Sequence, residues 1–218
     1  MQRTSCVPRH RAIQQSEFPY NISARCINRE WFQIPMPVVW NIFAEELQDA
    51  EKEFQLLIHS FILMSNHFHL IVSTPEANIS KCMQRFMFKS SRRLTRAGNR
   101  VNETFAGRHY KCVLQHPRYY LNAYKYNYRN PVTAGICVMV EDYPYSTLQG
   151  VMGAKNLLMP KCHDTTYEFD PEGTLKWLNT EPDPQKFEGV KFALKRPYFQ
   201  SKKDPVHNRP LISEDDIL

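Results

Sequence analysis

Residues 65–72 constrain the fold of this chain more than any other stretch. Their sequence, Ser-Asn-His-Phe-His-Leu-Ile-Val, is rich in residues that favour β-strands, and one apolar residue separates His67 from His69. Side chains alternate between the faces of a strand, so the two imidazoles are expected on one face, with Phe68 and Leu70 on the other. Two such imidazoles can share one divalent metal ion. The alternative is two polar residues on an edge strand or an open face.

The patterns around this segment predict an α+β fold. Strands are predicted over residues 18–26, 55–64, 67–73 and 104–114. Helices are predicted over residues 38–54, 79–97 and 117–130. The middle two strands form a hairpin, Asn78 is expected to cap the second helix, and Pro131 is expected to end the third.

Composition excludes several classes of protein. The chain has 218 residues, 42% of them hydrophobic, which is enough apolar material for one large domain. Its six cysteines form no CxxC motif, which argues against a zinc knuckle or a thioredoxin-like site. The first residues lack the apolar core of a secretory signal, and the longest nearly apolar run, 54–64, is too short to span a membrane. We therefore expect a cytoplasmic protein with no membrane partner.

Positive charge is concentrated between residues 81 and 130. This window contains 12 Lys and Arg against one acid, Glu103, a net charge of +11, whereas the whole chain carries +6. A solvated helix face would mix signs, so we expect contacts with phosphates. The candidate residues are Lys81, Arg85, Lys89, Arg92, Arg93, Arg96, Arg108 and Lys111. The acidic residues between 45 and 53 are expected to form a solvated outer face.

The third predicted helix carries five tyrosines within ten residues. Tyr126 and Asn130 lie four positions apart and therefore share a helix face. Tyr124 and Tyr128 have the same spacing, which two-tyrosine replication initiators use for their nucleophiles. We expect Tyr124 and Tyr128 to pack in the core, but the spacing alone leaves open which of the tyrosines are structural.

Five segments in this order resemble one family. They are Asn-His-Phe-His-Leu at 66–70, the basic helix, Gly-Arg-His-Tyr-Lys at 107–111, Tyr-Asn-Tyr-Arg-Asn-Pro-Val-Thr-Ala-Gly at 126–135 and Asp-Tyr-Pro-Tyr-Ser-Thr at 142–147. Over roughly residues 18–150 the chain resembles the REP-associated tyrosine transposases, which are single-tyrosine HUH endonucleases of the IS200-like type. The resemblance implies a ferredoxin-like core, with the His-x-His strand central in an antiparallel sheet and helices on its faces.

The resemblance also implies an activity. His67, His69 and Asn130 would bind Mg²⁺ or Mn²⁺, and Tyr126 would attack single-stranded DNA, often next to a hairpin, to give a 5′-phosphotyrosine. A tyrosine hydroxyl, with its pKa near 10, is a poor nucleophile without such help. The protein would act as a monomer or homodimer, and the three ligands are expected to converge over a concave basic surface.

Two other functions fit the sequence. One is a catalytically inactive protein of the same fold that binds single-stranded nucleic acid. The other is a metal-dependent hydrolase that uses water, although the strands near His67 carry no carboxylate to act as a general base. In either case we expect an N-terminal arm at 1–17, a catalytic domain at 18–150, and an extension at 151–218 that wraps this domain or contacts DNA.

Overall fold

The computed structural model describes residues 13–99, 104–105, 107–154, 157–203 and 210–218, so most of the predicted arm at 1–17 lies outside the described residues. One antiparallel sheet is formed by β1 (Tyr20–Arg25), β2 (Leu57–Leu63), β3 (His67–Ser73) and β4 (Tyr110–Val113). The strand order is β2-β3-β1-β4, so the His-x-His strand is an interior strand, as predicted.

The described helices are α1 (Met36–Phe54), α2 (Ile79–Ala97), α3 (Pro117–Thr133), α4 (Thr147–Val151), α5 (Thr165–Phe169), α6 (Pro171–Asn179) and α7 (Pro184–Ala193). Strands and helices alternate as β1-α1-β2-β3-α2-β4, the ferredoxin-like order that was predicted. None of the helices in these described ranges is long and apolar enough to cross a membrane.

The two faces of the sheet pack against different helices. Phe68, Leu70 and Val72 of β3 belong to a core that also includes the apolar residues of α1 and α2. Ile71 belongs to a second core, formed with α3 and the C-terminal helices. Because side chains alternate along β3, the two histidines lie on the α3 side of the sheet.

β4 is shorter than predicted. It begins at Tyr110 instead of residue 104, and Phe105 forms only an isolated bridge with Cys26. Gly107 lies between them with a φ of 131°, a conformation that residues with a Cβ rarely adopt. The extended pairing is interrupted around Gly107, and the strand begins three residues later, at Tyr110.

Pro131 does not end α3, contrary to the prediction. The helix continues to Thr133, although proline offers no N–H to the carbonyl of Asn127. The side chain of Asn130 compensates, because its Nδ2 donates to the Tyr126 oxygen at 2.8 Å and approaches the Asn127 oxygen at 3.5 Å. A side-chain amide thus supplies donors where the backbone lacks one.

Asn78 occupies the N-cap position of α2, as predicted, but its side chain makes no capping bond there. Its Nδ2 donates instead to the carbonyl of Phe54, the last residue of α1, at 3.2 Å. Asn78 therefore ties the beginning of α2 to the end of α1.

The acidic face of α1 is not simply solvated, because α2 pairs with it. Glu46 is buried and accepts hydrogen bonds from Arg85 at 3.1 Å and from Arg93 at 3.2 Å. Arg85 also pairs with Glu53, and Arg93 with Glu45. Two of the predicted DNA contacts thus already have carboxylate partners inside the protein.

The C-terminal extension contacts α1 through Leu158 and Met159, and its later helices and last residues pack against α3. The carbonyl of Leu218 accepts hydrogen bonds from Lys125 at 3.1 Å and from Trp177 at 2.6 Å. Arg129 donates to the carbonyls of Leu178 and Asn179 at 2.9 and 3.0 Å. These contacts hold α3 between the sheet and the C-terminal helices.

Candidate active site

His67 is oriented by its neighbour in the chain. Its Nδ1 lies 2.7 Å from Oδ1 of Asn66, an oxygen that can only accept a hydrogen bond. Nδ1 therefore carries the proton, and Nε2 keeps a lone pair. This is the arrangement in which an outer hydrogen bond fixes the tautomer of a metal-binding histidine.

His69 is buried without a hydrogen bond. Its residue exposure is 7%, and neither ring nitrogen has a partner among the described residues. Leaving a buried polar group unsatisfied costs about 1–3 kcal/mol, so such groups call for an explanation. Its ring centroid lies 5.1 Å from that of His67, so both imidazoles are close enough to serve one ion.

Both histidines are held neutral, as metal ligands must be. Burial lowers the pKa of His67 to about 4, and the positive charge of Arg25 acts in the same direction. Burial also lowers the pKa of His69 well below its usual value, with further contributions from His67 and Arg25. At neutral pH the pair offers lone pairs and no charge.

Tyr126 faces these histidines from α3. Its ring centroid lies 5.8 Å from that of His69, and Phe187 of α7 packs on it at 5.0 Å. The hydroxyl has no hydrogen-bond partner within the described ranges. Burial, with a contribution from Glu188, raises the pKa of Tyr126 to about 12, whereas Arg25 acts to lower it. Tyr126 is therefore a neutral phenol at physiological pH.

Asn130 lies one turn beyond Tyr126 and is half-buried. Since its Nδ2 donates to the backbone of α3, its Oδ1 is left as the available acceptor. Amide oxygens suit Mg²⁺ and Mn²⁺, and imidazoles suit several divalent ions, so the donor set fits the metal that the sequence implies. Within the described ranges, no third His, Cys, Asp or Glu joins the two histidines.

Tyr124 and Tyr128 have hydroxyls that are already engaged. They lie 2.7 and 3.3 Å from Oδ2 of Asp164, which is fully buried, and Tyr128 also bonds to Thr147 at 3.1 Å. Burial raises the pKa of both tyrosines well above the usual value. Both belong to the core, which agrees with the structural role expected from the sequence.

Three residues around Tyr126 were not predicted as site residues from the sequence. Arg25 stands opposite His67 in the register of β1 and β3, and Phe187 and Glu188 come from α7. The first strand was predicted to include Arg25, but its register with the histidine strand has no signal in the sequence. The two α7 residues lie 61 and 62 positions beyond Tyr126, and no motif links them to it.

The basic residues border a groove on the other side of the sheet. This open groove, of about 1440 Å³, runs between α2 and the turn at Gly107, and its cations are Lys89, Arg92, Arg93, Arg96, Arg108 and Lys111. Since α2 and α3 cover opposite faces, the concave basic surface does not lie under the histidines, contrary to expectation.

The eight predicted DNA contacts differ in their partners. Arg85 and Arg93 pair with α1, and Lys111 donates to the carbonyl of Ile13 at 2.6 Å. The other five form no ion pair within the part of the chain that the structure describes: Lys81, Lys89, Arg92, Arg96 and Arg108. Arg92 also lies over the exposed ring of Phe88, at 5.5 Å from its centroid.

Comparison with known proteins agrees with this architecture. A family model described as "Transposase IS200 like" matches residues 21–128, about half of the chain, a range that includes both histidines and Tyr126 and ends before Asn130. No curated protein matches the sequence.

Two solved structures are similar to this chain. One is a REP-associated tyrosine transposase bound to a REP hairpin, with 17% identity, a TM-score of 0.57, and coverage of 73% of this chain and 94% of the other. At that identity the similarity establishes the fold. The other, described as a transposase from Deinococcus radiodurans R1, has 16% identity, a TM-score of 0.37, and coverage of 55% and 94%.

The unpartnered nitrogens of His69 lead to a stability prediction. In metal-free buffer, His69→Leu should raise the melting temperature by about 3 °C, because it removes two unsatisfied buried polar atoms. Excess Mn²⁺ should stabilise the wild type, by about 2.7 kcal/mol at a hundredfold excess over Kd, and should leave His69→Leu unchanged. Differential scanning calorimetry with and without Mn²⁺ measures both effects.

His59→Leu is the matched control. His59 lies on β2, and its ring nitrogens bond to the His163 carbonyl at 3.1 Å and to Ser73 at 2.8 Å. Its replacement should lower the melting temperature and leave the Mn²⁺ effect intact. If His69→Leu kept the Mn²⁺ effect, His69 would not be a metal ligand. If it destabilised the metal-free protein as His59→Leu does, unsatisfied nitrogens would not be the dominant cost at this site.

Proposed function

The chain belongs to the IS200-like transposase family, and on that basis we propose that it is a metal-dependent endonuclease and strand transferase that cleaves and rejoins single-stranded DNA through Tyr126. The observation that carries the proposal is the contact of Tyr126 with His69. Tyr126 faces the buried imidazole of His69, and neither the hydroxyl nor the two ring nitrogens have a partner in the part of the chain that the structure describes. The Tyr126 hydroxyl is thus available as a nucleophile, and the His69 nitrogens are available as metal ligands.

In this proposal the Tyr126 oxygen attacks the scissile phosphorus in line with the departing 3′ oxygen. One phosphorus–oxygen bond forms and one breaks, and the phenol proton goes, in net terms, to the 3′ oxygen. The products are a 5′-phosphotyrosine and a free 3′-OH. Because one phosphodiester replaces another, the reverse attack by a 3′-OH rejoins DNA without an external energy source.

Several side chains would prepare this step. His67, His69 and Asn130 would hold a divalent ion, which when bound neutralises charge on the phosphate and assists loss of the phenol proton. Arg25 favours the phenolate, because its charge acts to lower the pKa of Tyr126. Packing of Phe187 on the Tyr126 ring restricts water, a competing nucleophile, on that side.

The groove beside α2 would bind the DNA backbone away from the reacting phosphate. Its unpaired cations can neutralise phosphates without reading sequence. Because the groove and Tyr126 lie on opposite faces of the sheet, a substrate that uses both must pass around the sheet. A duplex stem with a single-stranded arm has that shape, and the similar solved transposase is bound to a REP hairpin.

Tyr126→Phe tests the nucleophile. The change removes one oxygen and keeps the ring that packs between His69 and Phe187, so folding should be spared. Wild-type protein incubated with DNA hairpins that carry single-stranded arms, in the presence of Mn²⁺, should form a covalent adduct visible on a denaturing gel. Tyr126→Phe should form none, because it lacks the attacking oxygen.

Tyr124→Phe is the control in the same helix. It removes a hydrogen bond to buried Asp164, so it should cost about 1–2 kcal/mol of stability and still give the adduct. An adduct that survives in Tyr126→Phe and is lost in Tyr124→Phe would show that Tyr124, and not Tyr126, is the nucleophile. Binding without any adduct, in the wild type as well, would favour a catalytically inactive DNA-binding protein. Cleavage without an adduct would favour a hydrolase.

The groove generates a salt-dependence prediction. The double variant Arg92→Gln/Arg96→Gln should weaken hairpin binding and lower the slope of log K against log[salt] by about 2, because two arginines no longer neutralise phosphates. The control, Arg85→Gln/Arg93→Gln, removes the same charge from arginines that already pair with α1, and should change the slope much less. Equal slopes in the wild type and the first variant would mean that this helix face is merely solvated.

A further inference from the structure

We propose that an exposed strip on the α3 side of the sheet, formed by Arg25, Ser23 and Tyr110, binds the nucleotide next to the scissile phosphate. Tyr110 would stack on its base, and Arg25 would contact its phosphate. The inference rests on the proposed function for the identity of the ligand, a single DNA strand. It goes further by assigning the path that the strand takes away from Tyr126.

The register of the sheet places the strip beside the histidines. His69 of β3 is opposite Ser23 of β1, and Ser23 is opposite Tyr110 of β4. Residues opposite each other in antiparallel strands point to the same face, so these three form one row. Adjacent strands lie about 4.8 Å apart, which puts Tyr110 about 10 Å from His69 along the row. Arg25 stands directly opposite His67, one row further.

The strip is open where the rest of this face is covered. Next to it along β1 and β4, Asn21 and Cys112 are buried, and Asn21 bonds to Asn127 of α3 at 2.8 Å. Tyr110, in contrast, is 60% exposed and Arg25 is exposed. Neither side chain has a hydrogen-bond or ion-pair partner among the residues that the structure describes.

Arg25 lies close enough for its charge to influence His67, His69 and Tyr126. Its charge lowers the pKa of His67 and of His69, and acts to lower that of Tyr126 as well. An unpaired guanidinium at this place can bind a phosphate oxygen bidentately, and no carboxylate pairs with it within the described ranges. It is thus available to a phosphate of the strand that reaches Tyr126.

An aromatic ring and a guanidinium side by side suit a single strand. Bases stack on tyrosine whatever their identity, and the arginine neutralises the backbone between them. β4 also connects the two faces, because Arg108 and Lys111, on either side of Tyr110, line the basic groove. A strand that leaves the groove around this edge of the sheet would meet Tyr110 before it reached Tyr126.

The stacking can be tested without cleavage, in the Tyr126→Phe background. The probe is a DNA hairpin with single-stranded arms that carry 2-aminopurine at successive positions. Binding should quench the fluorescence at one position, and adding Tyr110→Ala should abolish that quenching and weaken affinity at least about fivefold. Tyr110→Phe should restore both, because it keeps the ring. Phe169→Ala, which removes a 93% exposed ring on α5, is the control and should change neither.

These measurements distinguish failure of the proposed binding strip from failure of the proposed catalytic function. If Tyr110→Ala binds and quenches like its parent, Tyr110 does not stack and the strip is refuted, even if the wild type forms an adduct. If quenching depends on Tyr110 but the wild type forms no adduct, the strip stands and the catalytic proposal fails. Quenching that Phe169→Ala abolishes as well would point to nonspecific effects and also refute the assignment.

Arg25 is tested in the presence of Tyr126. At saturating DNA, Arg25→Gln should slow adduct formation at least about tenfold, and Arg25→Lys should recover part of the rate, since a lysine keeps the charge and loses the bidentate geometry. Arg29→Gln, the same charge change four positions along the chain, should stay within about twofold of the wild type. An unchanged rate in Arg25→Gln, or an equal loss of rate in Arg29→Gln, would show that Arg25 does not have the proposed contact with the phosphate.

Discussion

The contact between the rings of His69 and Tyr126 depends on β1, β3, α3 and the C-terminal helices. The β1–β3 register sets the face on which His69 points, and the packing of α3 on that face brings Tyr126 to it. Asn127 secures α3 to β1 through Asn21, while the C-terminal helices hold its outer side. A displacement of α3 by one turn would separate the two rings and leave no nucleophile beside the histidines.

Some polar groups of α3 are bonded within the fold and stabilise it, whereas others have no partner and are available for the reaction. Tyr124 and Tyr128 share the buried carboxylate of Asp164, and Asn130 supplies donors where Pro131 cannot. Among the described residues, the Tyr126 hydroxyl and both nitrogens of His69 have no partner, and they face each other across the contact between α3 and β3. Buried groups that cost stability in this way concentrate at functional sites, where substrate or metal supplies the missing partner.

Much of this could be predicted from the sequence, because the patterns concerned are local. Alternation in residues 67–73 correctly separated the histidines from Phe68, and helical spacing separated Tyr126 from Tyr124. What could not be predicted depends on contacts between distant segments. Glu46 pairs with two arginines that lie 39 and 47 positions away, and Arg25 reaches the histidines only through strand register. The net charge of a window cannot show which of its charges are already paired.

In the proposed reaction one tyrosine of α3, and not its neighbours, receives the DNA. The most direct measurement is mass spectrometry of the wild-type adduct after nuclease and protease digestion, with fragmentation to locate the attached nucleotide. We expect a single modified residue, Tyr126, linked to a 5′ phosphate. Modification of Tyr124 or Tyr128, or a mixture of sites, would contradict it, since the hydroxyls of both are buried against Asp164.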